Sequence, residues 1–297
     1  MQITNKVLMI EPSNFFSNPE TLIDNKFQSQ ANDKKLNELV INEYKLLKQT
    51  LIKLGIDILD FKDLSENNSP DSIFPNNWFS THFDETLIIY PLMSSIRRKE
   101  RREDIINFLR LQYPLLIDLS HYEIRDIFLE GTGSLIFDRI NKIVYSSLSK
   151  RSNKDLILKL ASLLNYKPVI FSASDKAGNP IYHTNVIMSI GDKFALVCKD
   201  AITNIKEWEI VRDNISSSGK TLITITLEQV FDFCGNIIQL NTKNNIPLVA
   251  LSTRSFNALN HQQKDLLSTF GNLVHVPIPN IETYGGGGVR CMIAELF

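Results

Sequence analysis

Cysteine is scarce in this chain: the three that occur are Cys198, Cys234 and Cys291. An odd count without a framework spacing does not suggest disulfides, and no nearby histidines complete a zinc site. Cys198 closes the apolar run 194–198 and is expected to be a buried core thiol. Cys234, which opens Cys-Gly-Asn, is ambiguous. No metal or organic cofactor is expected.

An excess of basic charge is also missing. The 297 residues carry a formal net charge of -1, and 43% of them are hydrophobic. This composition is ordinary for a soluble globular protein and gives no sign of nucleic-acid binding. The one dense charged run, residues 97–103, mixes signs and starts a helical pattern, so we expect a solvated helix face there.

Long apolar runs and linkers are absent as well. No apolar stretch reaches membrane-spanning length, and the first residues lack the apolar region of a signal peptide. We therefore expect a cytoplasmic protein with no membrane partner. Because no Pro/Gly/Ser-rich linker divides the chain, we treat residues 1–297 as a single domain. A homo-oligomer is compatible with the sequence.

What the sequence does contain is a pattern of strand, strand, helix and strand, repeated about every fifty residues. Helices are predicted at 36–54, 97–112, 153–164, 202–212 and 255–270. Five such α/β units are too many for an open sheet of simple topology. They suggest a closed ring, in which residues 292–297 return to complete the first unit.

Polar residues recur at one phase of this repeat, just before the first strand of a unit. They are Asn76 and Asn77, Glu130, His183 and Asn185, Asn236, and finally Cys291 before the closing strand. If the units surround an axis, these side chains converge on it at one face. Chance alone would not be expected to place polar residues at the same phase in so many units.

Cys291 is the candidate nucleophile. It follows the four glycines 285–288, which would let another molecule approach the backbone closely, although a flexible loop before an edge strand is the plainer interpretation. A thiol needs a proton acceptor to attack carbon. Of the five histidines, His183 alone lies at the repeat-equivalent position, so we predict it as general acid/base rather than a structural histidine.

Glu130 lies in Leu-Glu-Gly-Thr-Gly-Ser, at a tight backbone approach. It could be a turn residue with a solvated carboxylate. The functional interpretation is a carboxylate that binds substrate N–H groups and shuttles protons. Asp138, at the far end of the following strand, fits turn chemistry better.

Five motifs together resemble the guanidine-modifying (pentein) superfamily, whose members include arginine deiminases, dimethylarginine dimethylaminohydrolases and amidinotransferases. They are Phe-Pro-Asn-Asn-Trp (74–78), Leu-Glu-Gly-Thr-Gly-Ser (129–134), Tyr-His-Thr-Asn (182–185), Cys-Gly-Asn (234–236) and Gly-Gly-Gly-Gly-Val-Arg-Cys-Met (285–292). The resemblance implies a five-bladed α/β propeller of ββαβ repeats with its active site on the axis. It also implies Cys291 as nucleophile, His183 as general acid/base and Glu130 as the substrate-binding carboxylate.

Two departures from arginine deiminases concern the substrate. Those enzymes carry Arg-Asp where this chain has Asn76-Asn77, and His-x-Asp where it has His183-Thr-Asn185. Aspartates clamp a guanidinium cation, whereas an amide offers one neutral acceptor and two donors and suits a neutral ureido group. Because asparagines stand here in place of two negatively charged aspartates, the Cys291 thiolate should also form more easily than it would beside those aspartates.

The pattern looks like the citrulline-hydrolase branch of the superfamily, with further similarity at 9–15 and at Asn-Pro-Glu-Thr (18–21). Glu11 departs from it, because an arginine is expected there. Asn76, Asn77, Asn185 and Asn236 are candidate substrate-binding residues. Arg290 is a candidate for the substrate α-carboxylate, with a structural salt bridge as the alternative. The polar segment 63–72 is the candidate lid.

The resulting hypothesis is a hydrolase that converts citrulline into ornithine, carbon dioxide and ammonia through a covalent cysteine intermediate. Hydrolysis of arginine or methylated arginine is the second possibility. A propeller that only binds amino-acid-like ligands is the third. In each case the expected partner is a small molecule.

Overall fold

Five small sheets, each with the same strand order, make up the structure, a computed structural model that describes residues 1–30 and 35–297. Within these residues the strands are β1 (Lys6–Glu11), β2 (Asp57–Lys62), β3 (Phe79–Thr81), β4 (Thr86–Ile89), β5 (Leu115–Asp118), β6 (Ile136–Asp138), β7 (Ile143–Leu148), β8 (Lys167–Ser172), β9 (Met188–Ile190), β10 (Phe194–Val197), β11 (Thr221–Thr224), β12 (Ile238–Asn241), β13 (Pro247–Ser252), β14 (Asn272–Val276) and β15 (Ala294–Leu296). The helices are α1 (Leu36–Lys53), α2 (Glu103–Arg110), α3 (Gly131–Ser134), α4 (Lys154–Leu163), α5 (Ile205–Ser217), α6 (Leu227–Phe231), α7 (Thr253–Ala258) and α8 (His261–Ser268).

Each sheet is one blade. Its short inner strand pairs antiparallel with the middle strand, and the middle strand pairs parallel with the outer strand, as in β3-β4-β5. A parallel pair needs a crossover connection, which in most blades contains a helix. Every residue of the middle strands β4 and β10 is buried, as expected for apolar strands covered on both faces.

The ring closes through the two ends of the described chain. In the first blade, β15 is the inner strand and pairs antiparallel with β1, with Lys6 opposite Leu296 and Leu8 opposite Ala294. The inner strands also contact one another, β15 against β3, β6 against β9 and β9 against β12. The prediction of a five-bladed α/β ring with a returning last strand is confirmed.

Three predicted helices need correction. The segment 97–112 is a 3₁₀ turn, Arg97–Glu100, followed by α2, and Arg97 and Glu100 are only 2% and 1% exposed rather than on a solvated face. Their buried ion pair accounts for the difference. The segment 255–270 is divided into α7 and α8, because Asn260 forms a capping box that begins a new helix. Likewise Asn204 caps α5, which starts later than predicted and ends at Ser217.

One feature of the blades positions the polar residues. Three of the inner strands follow a single 3₁₀ turn, at Pro75–Asn77, Thr184–Val186 and Val289–Met292, and a fourth, β6, follows the one-turn helix α3. These turns shorten the predicted first strands and aim side chains at one end of the axis. No helix within the described residues is long and apolar enough to cross a membrane.

Candidate active site

Cys291 lies in the turn before β15 and is buried, with two amides directed at its sulfur. Asn236 Nδ2 donates to Cys291 Sγ at 3.2 Å, and Asn185 Nδ2 donates to it at 3.4 Å. Asn236 Nδ2 also donates to the Asn185 backbone carbonyl at 3.1 Å, which joins the two amides. A Cβ added at Gly287 would lie 3.2 Å from Cys291 Cβ, so the glycine leaves room beside the thiol.

His183 and Glu130 form a buried pair across the pocket. His183 Nε2 lies 2.7 Å from Glu130 Oε2, and the carboxylate is fully buried. Burial opposes ionisation of Glu130, but Arg151, the His183 hydrogen bond and Arg97 outweigh it and hold the pKa of this carboxyl well below its usual range. An ionised Glu130 accepts the Nε2 proton, which leaves His183 Nδ1 as the nitrogen able to exchange a proton with a substrate.

Two buried arginines flank Glu130. Arg151 Nη1 lies 3.4 Å and Arg97 Nη1 lies 3.8 Å from Glu130 Oε2. Each guanidinium has further carboxylate partners: Arg97 Nε is 2.9 Å from Glu100 Oε1 and 3.7 Å from Asp71 Oδ2, and Arg151 Nε donates to Asp24 Oδ2 at 2.9 Å. Two guanidiniums and four carboxylates thus form one cluster around Glu130.

Arg97 also fixes the orientation of Asn77. Its Nη1 donates to Asn77 Oδ1 at 2.8 Å, and because a guanidinium has donors only, the amide oxygen must face the arginine. Asn77 Nδ2 is buried and has no hydrogen-bond partner among the described residues. A Cβ at Gly133 would lie 2.4 Å from this nitrogen and 2.8 Å from His183 Nδ1, so the free donor lies near the catalytic ring.

These groups share one pocket of about 290 Å³. It is lined by Thr21, Asn25, Asp71, Phe74, Asn77, Arg97, Arg151, Tyr182, His183, Gly285, Gly286, Gly287 and Cys291. Cys291, His183 and Asn77 thus meet as predicted by their shared repeat phase. Glu130 lies behind His183, and Asn185 and Asn236 lie behind the sulfur.

Segment 18–29 covers this pocket and is held to the glycine loop. Asn25 Nδ2 donates to the Gly286 carbonyl at 3.3 Å, and Gln28 Nε2 donates to the Tyr284 carbonyl at 2.9 Å. From the predicted lid 63–72, Asp71 lines the pocket and accepts a hydrogen bond from Asn18 Nδ2 at 2.8 Å. The lid role of segment 63–72 stays a prediction.

Besides Asn185 and Asn236, two more candidate substrate-binding residues, Arg290 and Asn76, do not line the pocket. Arg290 Nη2 is 2.9 Å from Glu295 Oε2 and Nη1 donates to the Ile293 carbonyl, so the geometry does not support its binding of a substrate carboxylate. Asn76 is buried behind the pocket, where its backbone carbonyl accepts from the Thr132 hydroxyl. Glu11 lies near Lys48 at 3.8 Å and does not line the pocket either.

Burial sets the resting protonation states of the reacting pair. Burial raises the pKa of the Cys291 thiol, and the Asn236 and Asn185 hydrogen bonds oppose this only in part. Burial likewise lowers the pKa of His183, against the opposing effect of Glu130. The free site thus holds a thiol and a neutral imidazole at neutral pH. The expectation that asparagines in place of aspartates ease thiolate formation concerns a comparison with other sequences, and it stays a prediction.

The other two cysteines are separate from the site. Burial raises the pKa of Cys198 to about 11 and that of Cys234 to about 12, so neither is a competing nucleophile at neutral pH. Among the described residues there is no group of three or more His, Cys, Asp and Glu side chains that could hold a metal ion.

Sequence reasoning did not find Arg97, Arg151 or Asp24 as members of the site. Arg97 stands in a charged run that resembles a solvated helix, and Arg151 lies in a turn with no distinguishing pattern. Asp24 follows the motif Asn-Pro-Glu-Thr (18–21) after two intervening residues. This motif is the signal that could have identified segment 18–29 as part of the site.

The five-bladed fold, with a cysteine, a histidine and a buried carboxylate at one end of its axis, is that of the pentein guanidine-modifying superfamily. Residues 11–297 match the family model described as N,N dimethylarginine dimethylhydrolase, eukaryotic, and the chain belongs to this family. No curated protein sequence matches the chain.

Solved structures confirm the fold. The N-terminal domain of ArgZ, an arginine dihydrolase from the ornithine-ammonia cycle in cyanobacteria, solved with its substrate, aligns with a TM-score of 0.77 and 16% identity over 97% of this chain and 96% of that one. The chain spans only 40% of the longer ArgZ chain. DDAH from Pseudomonas aeruginosa, solved with citrulline, aligns over the whole of both chains with a TM-score of 0.69 and 13% identity.

Proposed function

We propose that the chain hydrolyses C–N bonds at the terminal carbon of a guanidino or ureido amino acid, with Cys291 as nucleophile. The shared pocket of Cys291 and His183, and the 2.7 Å contact between His183 and Glu130, support this reaction type. The match to a family of hydrolases that act on methylated arginine supports the substrate class.

The comparisons favour a guanidino substrate, that is, arginine or methylated arginine. The family model is described by dimethylarginine hydrolysis, and the ArgZ structures are of an arginine dihydrolase. Behind His183, the ionised Glu130 is the group that would attract a guanidinium. Its charge is shared with His183, Arg151 and Arg97, which weakens that attraction.

The orientation of Asn77 favours the more specific proposal, hydrolysis of citrulline. Because Arg97 occupies Oδ1, the amide presents Nδ2, a donor, at the ring of His183. A guanidinium has only N–H donors and would leave two donors facing each other, whereas a ureido oxygen accepts from Nδ2. An unmade bond to a buried donor costs about 1–3 kcal/mol. At the far end of the substrate, the unpaired buried Asp71 Oδ1 suits an α-ammonium group.

The chemistry for a ureido group balances without a cofactor. His183 Nδ1 takes the proton of Cys291 as sulfur bonds to the ureido carbon. The same proton passes to the departing δ-nitrogen when its bond to carbon breaks, so ornithine leaves and a carbamoyl thioester remains. His183 then takes a proton from the attacking water, the C–S bond breaks, sulfur regains the proton, and carbamate decomposes to carbon dioxide and ammonia.

The test is to incubate the purified chain separately with citrulline, arginine and N,N-dimethylarginine. Ornithine and ammonia in equal amounts from citrulline support the ureido reaction. Preference for arginine, or release of dimethylamine from dimethylarginine, overturns it in favour of a guanidino substrate. Cys291→Ser should abolish either activity. Binding of these amino acids without turnover by the wild type would instead indicate a non-catalytic propeller.

A further inference from the structure

A second polar cavity lies toward the far ends of the inner strands from Cys291. It has a volume of about 390 Å³, and its lining includes Arg139, Arg290, Glu295 and Ser189. It shares no lining residue with the pocket that contains Cys291. The proposed hydrolysis therefore assigns no role to this cavity.

Arg139 is the unusual group in this cavity. It is 6% exposed, and within residues 1–30 and 35–297 no carboxylate oxygen lies within 4.0 Å of its guanidinium. Its partners are neutral: Nη1 is 3.4 Å from the Thr81 carbonyl oxygen and 3.3 Å from His82 Nδ1. The Phe297 and Phe137 rings lie 3.8 Å and 5.3 Å from Cζ, and the Tyr166 hydroxyl also faces the guanidinium.

The other deeply buried arginines show what is missing. Arg97 has three carboxylate partners and Arg151 has two. Taking a charged group out of water is costly unless a counter-charge compensates it. Burial accordingly lowers the pKa of Arg139, and the charge of Glu295 opposes this only in part. His82 is held neutral by burial and adds no charge beside this cation.

The remaining cavity groups are suited to an anion. Arg139 and Arg290 line the cavity together with a single carboxylate, Glu295, which is already bound to Arg290 at 2.9 Å. Ser189 Oγ is buried and has no hydrogen-bond partner among the described residues, so it has a donor to offer. The cavity thus combines surplus positive charge with an unused hydroxyl.

We propose that this cavity binds a small anion, a halide or a short oxyanion such as nitrate or acetate, between Arg139 and Ser189. Arg139 supplies the charge and Ser189 a hydrogen bond. Arg290 adds a second positive charge, which Glu295 partly neutralises. The site is independent of the proposed hydrolysis and exists in the protein without substrate.

The test is thermal unfolding of the purified chain at constant ionic strength, with sodium gluconate replaced stepwise by sodium chloride, nitrate or acetate. Gluconate is the bulky reference anion. Above Kd, we expect Tm to rise with the logarithm of the anion concentration, by roughly 3 °C at ten times Kd, for at least one of the three anions. The three series distinguish a halide from an oxyanion. A Tm that does not change with the concentration of any of the three anions would overturn the proposal.

Variants locate the effect. Arg139→Met should abolish the rise, and in gluconate it should melt at or above the wild type because it removes an unpaired buried charge. Arg254→Met, which removes an exposed arginine paired with Asp232, is the matched control and should keep the rise. An undiminished rise in Arg139→Met would contradict the site. If that variant does not fold, Ser189→Ala decides: it should raise the Kd fitted to the rise in Tm several-fold, and an unchanged Kd would sink the proposal.

Discussion

Asn236 Nδ2 lies 3.2 Å from the sulfur of Cys291 in a site where burial disfavours the thiolate. A hydrogen bond to a charged acceptor stabilises the charged form by about 1.5–3 kcal/mol, here the thiolate of Cys291. Asn236→Ala should therefore slow alkylation of Cys291 by iodoacetamide at neutral pH by roughly tenfold to a hundredfold. The rate is measured without substrate, so this prediction does not depend on which substrate is used.

The control for this experiment is Asn179→Ala, which removes an exposed asparagine that donates to Asp175. It should leave the alkylation rate unchanged, and Cys291→Ser identifies the labelled thiol. An unaltered pH profile of alkylation in Asn236→Ala would show that the contact does not stabilise the thiolate.

Asn77→Asp should change the substrate preference. The aspartate keeps an oxygen toward Arg97 and presents its second oxygen, an acceptor, where Asn77 has its unpaired Nδ2. The kcat/KM for citrulline should fall by roughly a hundredfold or more, while the ratio of arginine to citrulline turnover rises. Ornithine formation from citrulline, and ornithine plus citrulline formation from arginine, provide the measurement. Asn76→Ala, at a neighbour outside the pocket, should keep the wild-type ratio; a parallel change there would refute the assignment.

Gly133→Ala should cost activity more than stability. Its methyl group would lie 2.4 Å from Asn77 Nδ2 and 2.8 Å from His183 Nδ1, so both side chains must shift. We expect kcat/KM to fall by roughly a hundredfold, since a displacement of about 1 Å has that effect. Gly178→Ala is the converse control. An added Cβ there would meet no neighbouring atom, but the φ of +82° is unfavourable for alanine, so the free energy of unfolding should fall by about 1–2 kcal/mol without loss of activity. Normal activity in Gly133→Ala would mean that the site tolerates the shift.

Glu282, in the turn before the glycine loop, should make stability depend on pH. Burial raises the pKa of this carboxyl to about 7, although Ser252 and Arg254 oppose the shift. The folded state therefore holds a proton that the unfolded state releases near pH 4.3, and the stability present below that pH is lost as pH rises towards 7. Between pH 5 and 7 the free energy of unfolding of the wild type should therefore fall by roughly 2–3 kcal/mol through this group, and in Glu282→Gln that fall should be absent.

The measurement is the difference in urea unfolding free energy between wild type and Glu282→Gln at several pH values. Glu66→Gln, at an exposed position, provides the baseline. A difference that stays constant from pH 5 to 7 would show that Glu282 does not titrate in this range.

The ring and the groups of the candidate site could be predicted because their signals are local. Helix α1 buries Leu36, Val40, Tyr44, Leu47 and Leu51, the three- and four-residue spacing that predicts it from sequence. Cys291, His183 and Asn77 could be placed together because each stands at the same phase of the repeat, and the repeat becomes rotation about an axis in the fold.

The arginines could not be predicted, because their partners are distant in the sequence. Arg97 looks like a surface residue until Asp71 and Glu130 are placed beside it, and Arg151 is paired with Asp24, 127 residues away. The same holds for Arg290, which was expected to face a substrate. Its position beside Cys291 in the chain gave no indication that the turn directs the two side chains into different cavities.

The pairing of β15 with β1 has a consequence for the nascent chain. At 5–20 residues per second, the ribosome needs roughly 15 to 60 s to advance from β1 to β15. For that time β1 has an unpaired edge, which is open to association with other chains. Cys291 leaves the ribosome just before β15, so the thiol first meets His183 and its two amides when the ring closes. A partly synthesised chain should therefore be inactive and dependent on protection of that edge.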